Sequence, residues 1–104
     1  MKKTQTFEFV AMWNNTAWVA ATTTLDIMAQ GNTIKESVDN LRETLLLSAI
    51  FNEADGRRPF ESFENEPMSW VTDVRAKQAS PVPRGRSSKM KAYRGDVTVE
   101  WNSK

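Results

Sequence analysis

The sequence predicts an α+β domain: an antiparallel sheet of three to four strands packed on one long helix, with a basic loop and a C-terminal strand. Three observations carry this expectation. Alternating apolar and polar residues flank the pair Asn14-Asn15, a single helical period follows Thr33, and alternation returns in Asp96-Val97-Thr98-Val99-Glu100-Trp101. A chain of 104 residues suits one core, burying roughly two thirds of the surface its extended form exposes. Residues 1 to 75 form the body, and residues 76 to 104 belong to the same domain or to a contact between copies.

From Thr6 to Trp13, Phe7, Phe9, Ala11 and Trp13 share one face of an extended chain, and Glu8, Val10 and Met12 share the other. Asparagine tolerates positive φ, so Asn14-Asn15 fits a two-residue type I′ turn. The segment from Ala17 to Thr24, rich in β-branched residues with Trp18 near its start, is then expected to return antiparallel. Leu25 to Ala29 makes a short third strand. Gln30-Gly31-Asn32 interrupts it, with glycine able to adopt the conformation of a sharp bend.

Thr33 and Glu36 have the spacing of a capping box, each side chain aimed at the other's backbone N–H. Behind them Ile34, Val38, Leu41, Leu45 and Ala49 recur at helical spacing, with Lys35, Asp39, Arg42 and Glu43 on the outer face. Asp55-Gly56 ends this helix of about twenty residues, and Pro59 prevents its resumption. Met68 to Val74 reads as a fourth strand or part of a second helix, the strand being preferred, and the proline- and glycine-bearing stretch from Ala76 to Gly95 reads as a loop. In the final strand Val97, Val99 and Trp101 lie on one face; it pairs within the chain or with the sheet edge of a second copy, giving a homodimer by strand addition.

Cysteine and histidine are both absent. Disulfides, thiolate nucleophiles, cysteine-ligated zinc and imidazole bases are thereby excluded. Carboxylate pairs remain, but Glu8 and Asp26 without a third partner do not make a two-metal site. No enzyme activity, catalytic residue, metal or cofactor is expected. No continuous apolar run approaches a signal sequence or membrane span, so a soluble, cytoplasmic protein is expected.

Charge is divided unevenly along the chain. Residues 1 to 72 hold six Lys/Arg against ten Asp/Glu, and residues 73 to 104 hold eight against three, so −4 is followed by +5. Two candidate interaction sets follow. Glu61, Glu64 and Glu66, near Glu53 and Asp55, form an acidic patch for a basic partner or a solvated loop. Arg84, Arg86, Lys89, Lys91 and Arg94, with Tyr93 among them, form a basic segment that tracks a phosphate backbone while the ring stacks on a base, or a solubilising loop. Trp13, Trp18, Trp70 and Trp101 are interface anchors or core residues, with Trp13 and Trp18 beside the turn the candidates for a protein partner.

The order of hairpin, short third strand, Ala29-Gln30-Gly31-Asn32-Thr33 and a helix carrying Ile34, Glu36, Ser37, Val38, Asn40 and Leu41 resembles the HicB antitoxin domain, a degenerate relative of the ribonuclease H fold. The resemblance covers about residues 6 to 58. In place of the family's Asp-hydrophobic-Pro-Gly segment the chain has Thr23-Thr24-Leu25-Asp26. The resemblance implies a noncatalytic inhibitor that occupies the surface of a protein partner, commonly a small ribonuclease toxin, and that has lost the metal-holding carboxylates of ribonuclease H enzymes. The same scaffold suits a phage or mobile-element inhibitor of a host defence complex such as a CRISPR effector, and nucleic-acid binding through residues 84 to 94 is the third reading. Residues 76 to 104 have too few periodic apolar positions for the DNA-binding module that many members carry.

Overall fold

The computed structural model describes residues 1–61, Val71, Ser80–Pro81 and residues 92–102. One helix packs on an antiparallel sheet of four strands: β1 (Lys2–Trp13), β2 (Trp18–Thr22), β3 (Met28–Gly31), α1 (Ile34–Ala54) and β5 (Ala92–Asn102). A two-residue strand, β4 (Ser80–Pro81), adds parallel to the outer edge of β5, and the sheet order is β3-β2-β1-β5-β4. The expected α+β class and the single long helix are therefore present.

β1 is central and longer than its apolar pattern. It begins at Lys2 because β5 runs beside it from Lys2 opposite Asn102 to Met12 opposite Ala92. The C-terminal strand thus pairs within its own chain along its inner edge. The pleat sets the faces. Phe7, Phe9 and Ala11 point to the helix side with Val97, Val99 and Trp101 of β5, and these meet Leu41, Leu45 and Ala49 of α1 in one buried cluster. Val10 and Ala21 are buried on the opposite side with Val71. Val71 is the described residue of the segment read as a fourth strand or part of a second helix, and its backbone is helical.

The turn between β1 and β2 has four residues, not two. Trp13 pairs with Trp18, Asn14 N–H donates to the Ala17 carbonyl at 3.1 Å, and of the two asparagines Asn15 alone has positive φ, at 74°. The Asn14 side-chain oxygen accepts from the N–H groups of Thr16 (3.0 Å) and Ala17 (2.8 Å). This side-chain turn replaces the type I′ backbone turn, because the asparagine carboxamide satisfies donors that a tighter loop would pair along the ladder.

β3 starts at Met28 rather than Leu25. The buried Thr22 hydroxyl donates to the Leu25 carbonyl (3.0 Å) and accepts from the Leu25 N–H (3.1 Å), which closes a turn between β2 and β3. Leu25 and Ile27 then drop into the core.

At the strand-to-helix joint, a Cβ on Gly31 would lie 2.5 Å from the Ser37 backbone N and 2.8 Å from the Glu36 carbonyl carbon. Gly31 lacks positive φ. Glycine is required here by the close approach of strand end to first helical turn, not by bend conformation. Thr33 caps the helix by accepting from Glu36 N–H at 3.0 Å, which is the threonine half of the expected capping box. Asn40 reaches back from the second turn and donates to the Gln30 carbonyl at 2.7 Å.

The other end of α1 is closed by a Schellman motif. Gly56 has φ 76°, its N–H donates to the Glu53 carbonyl, and Arg57 N–H donates to the Asn52 carbonyl at 2.7 Å. Asn52 then donates to the Pro59 carbonyl at 2.8 Å, turning the chain so that Phe60 sits edge-on between Phe7 (4.9 Å between ring centres) and Trp101 (5.7 Å). The Glu53 carboxylate accepts from Trp101 Nε1 at 2.7 Å and from Lys3 Nζ at 2.8 Å. Helix end, first strand and last strand are tied at one point.

Candidate interaction surface

The hairpin end of the sheet carries an aromatic cluster built from three strands. Trp13 closes β1 and Trp18 opens β2 as the last registered pair; both are half-buried, with ring centres 5.8 Å apart and planes inclined at 54°. Tyr93, opposite Ala11 on β5, lies 5.8 Å from Trp18 at 44°. Across β3 the residue registered with Trp18 is Gly31, which has no side chain. Such ring pairs contribute about 1 kcal/mol each beyond their buried area. The cluster is held from behind by Trp18, which packs against the core, and its outer member is Trp13.

The residues of the two charged sets fare differently. Tyr93 is 1% exposed. Its ring is committed to Trp18, so it does not present a face for stacking a base, which corrects the expectation placed on it. Arg94 is exposed but alternates to the opposite side of the sheet, across from Val10. Arg84, Arg86, Lys89 and Lys91 lie outside the described residues, as do Glu64, Glu66 and Trp70. Glu61 is exposed, and its carboxylate accepts from the Arg58 backbone N–H at 3.2 Å. Glu53 leaves the acidic patch altogether, since its carboxylate is engaged by Trp101 and Lys3. Trp101 is a core residue.

From Lys2 to Glu8 of β1 and along the facing part of β5, the sheet face away from α1 is polar. Thr6 and Thr98 share a hydroxyl hydrogen bond of 2.9 Å, Lys2 pairs with Glu100 at 3.1 Å, and Glu8 stands opposite Asp96. Asp26 is exposed in the turn before β3. Among the described residues no three His, Cys, Asp or Glu side chains converge as a metal-ligand set. No described helix is long and apolar enough to cross a membrane.

Sequence reasoning missed one surface. Leu47, Ile50 and Phe51 of α1 are 44%, 43% and 63% exposed. The signal was present in Leu45-Leu46-Leu47 and Ile50-Phe51, which hold more apolar residues than one inward stripe uses. The fold and these surfaces define an α+β domain with an aromatic rim and an apolar outer helix stripe. Compared with protein families, curated proteins and solved structures, the chain matches none of them.

Proposed function

We propose that this chain is a noncatalytic inhibitory binding module, antitoxin-like, that acts in the cytoplasm by occluding a protein partner such as a small ribonuclease toxin. The observation that supports it is the Trp13–Trp18 pair, partly exposed at the hairpin end and held rigid by Tyr93. Occlusion needs area and rigidity rather than chemistry, and tryptophans seated in this way contribute disproportionately to binding. The resemblance to the HicB domain adds support, because residues of the shared phrase have architectural work here: Gly31 lets strand and helix meet, Thr33 caps the helix, and Asn40 holds the Gln30 carbonyl. A host defence complex as the target would use the same rim. The burial of Tyr93 takes the stacking element away from the nucleic-acid reading.

The test is affinity capture from host lysate, with and without nuclease treatment, using the native chain and Trp13→Ser, both checked for unchanged circular dichroism. The native chain is expected to retain one protein stoichiometrically, whose identity separates toxin from defence effector, and Trp13→Ser to weaken retention about tenfold or more. Recovery of nucleic acid alone, lost at moderate salt, would overturn the reading.

A further inference from the structure

β3 is the outermost described strand on its side of the sheet, and the ladder fixes which of its backbone groups face outward. The Ala17 carbonyl accepts from Asn14 N–H and the Glu8 carbonyl from Thr23 N–H, so Ala17, Val19, Ala21 and Thr23 turn their backbone groups to β1. Trp18 and Ala20, alternating with them, turn to β3 and meet their registered partners Gly31 and Ala29. Met28 and Gln30 therefore direct N–H and C=O away from β2. Such an edge is a template for another chain. This one has no charge to discourage pairing: Ile27 to Thr33 contains no Asp, Glu, Lys or Arg, and Ala29 and Met28 pack against the apolar clusters on the two faces of the sheet.

One of the outward groups is occupied from within the chain. Asn40 Nδ2 donates to the Gln30 carbonyl at 2.7 Å, within the range at which a neighbouring strand's N–H would donate. Both residues are exposed, so water would satisfy either group and folding does not demand the bond. Asn40 can reach because Gly31, lacking a Cβ, lets the start of α1 lie against the strand end.

We infer that the β3 edge is a latent pairing site for a second copy of this chain, and that Asn40 is the lock on it. Two β3 strands meeting antiparallel about a two-fold axis use the outward groups of Met28 and Gln30 twice and bring no like charges together. To form that contact each copy gives up its Asn40–Gln30 bond. A bond of this kind is worth about fivefold in an equilibrium constant, so two locks hold the pairing back about 25-fold. The inference goes beyond the inhibitory reading and does not rest on it, because it needs nothing from the outer ring of Trp13.

Asn40→Ala opens the lock at an exposed helical site where alanine favours the helix. Sedimentation velocity from the low micromolar to the millimolar range, with circular dichroism confirming the fold, is expected to show this variant dimerising about 25-fold more tightly than the native chain. Amide exchange at Gln30 should slow with rising concentration of the variant, which a loosened anchor between helix and strand would not produce by itself. Adding Gln30→Lys should abolish the gain, because two ammonium groups then meet beside the two-fold. An Asn40→Ala chain no more associated than the native one up to the millimolar range would overturn the inference. So would an association that leaves Gln30 exchange unchanged or that survives Gln30→Lys.

Discussion

Gly31 is the residue on which the strand-to-helix joint depends, and the reason is distance. The Ser37 N–H that a new methyl would meet at 2.5 Å already donates to the Thr33 carbonyl, so the obstacle is backbone in the first helical turn and not a movable side chain. Gly31→Ala is expected to destabilise by about 2–3 kcal/mol, by the general cost of forced overpacking, read as a lowered denaturation midpoint with unchanged m-value. A cost below about 0.5 kcal/mol would show that the joint opens without strain. The bend expected from glycine at this position was legible in the sequence, but its cause was not. Residue type reveals that a side chain is missing; only the neighbouring turn reveals what the missing atoms would strike.

Helix α1 shows the same division between what a pattern states and what packing decides. Its length, its Thr33 cap, its inner positions and its stop at Gly56 all follow from spacing and capping chemistry, which act within a few residues. Its outer stripe is not legible in the same way, because one helical period accounts only for the face that must be buried and says nothing of the surplus Leu47, Ile50 and Phe51. On the same helix Asp39 accepts from Lys35 at 2.7 Å and from Arg42 at 2.9 Å. The Lys35 hydrogen bond is the largest cause that holds the Asp39 carboxyl below the ordinary carboxylate value; burial opposes it, and the charge of Lys35 and the hydrogen bond and charge of Arg42 add to the lowering. A carboxyl with a depressed folded pKa stabilises the fold above its unfolded pKa, and that contribution disappears as pH falls through the folded value. At low ionic strength, the melting temperature of the native chain should therefore exceed that of Asp39→Asn at neutral pH by a small, salt-sensitive margin that vanishes on acidification. Parallel curves at all pH values would remove Asp39 from the helix's stabilising pairs.

On the scale of the whole molecule, the sheet is closed by strands from opposite ends of the chain. Alternation in 96–101 announced a strand and its inward residues, but period two says nothing about the neighbour a strand will choose. β4 was illegible for another reason: two residues are too few to show any period. The choice of β1 as neighbour makes β5 indispensable, since Val97, Val99 and Trp101 complete the cluster around Phe7 and Phe9. A chain stopped before Ala92 is expected to lose the dispersed amide spectrum of a folded domain, and retention of that spectrum would show that β1, β2, β3 and α1 suffice. Pairing across some ninety positions also makes folding slow relative to a helical bundle of this size, because the loop must close before the contacts that reward it form.

That pairing has a consequence during synthesis. A ribosome releases the hairpin, the third strand and the helix while the residues that cover Phe7 and Phe9 on the far side of β1 have yet to be translated. The nascent chain therefore carries an open, apolar strand edge for most of its production, and it becomes a closed sheet only when residues 92–102 clear the exit tunnel. An early nonsense codon or stalled translation leaves that edge uncovered for quality control to find.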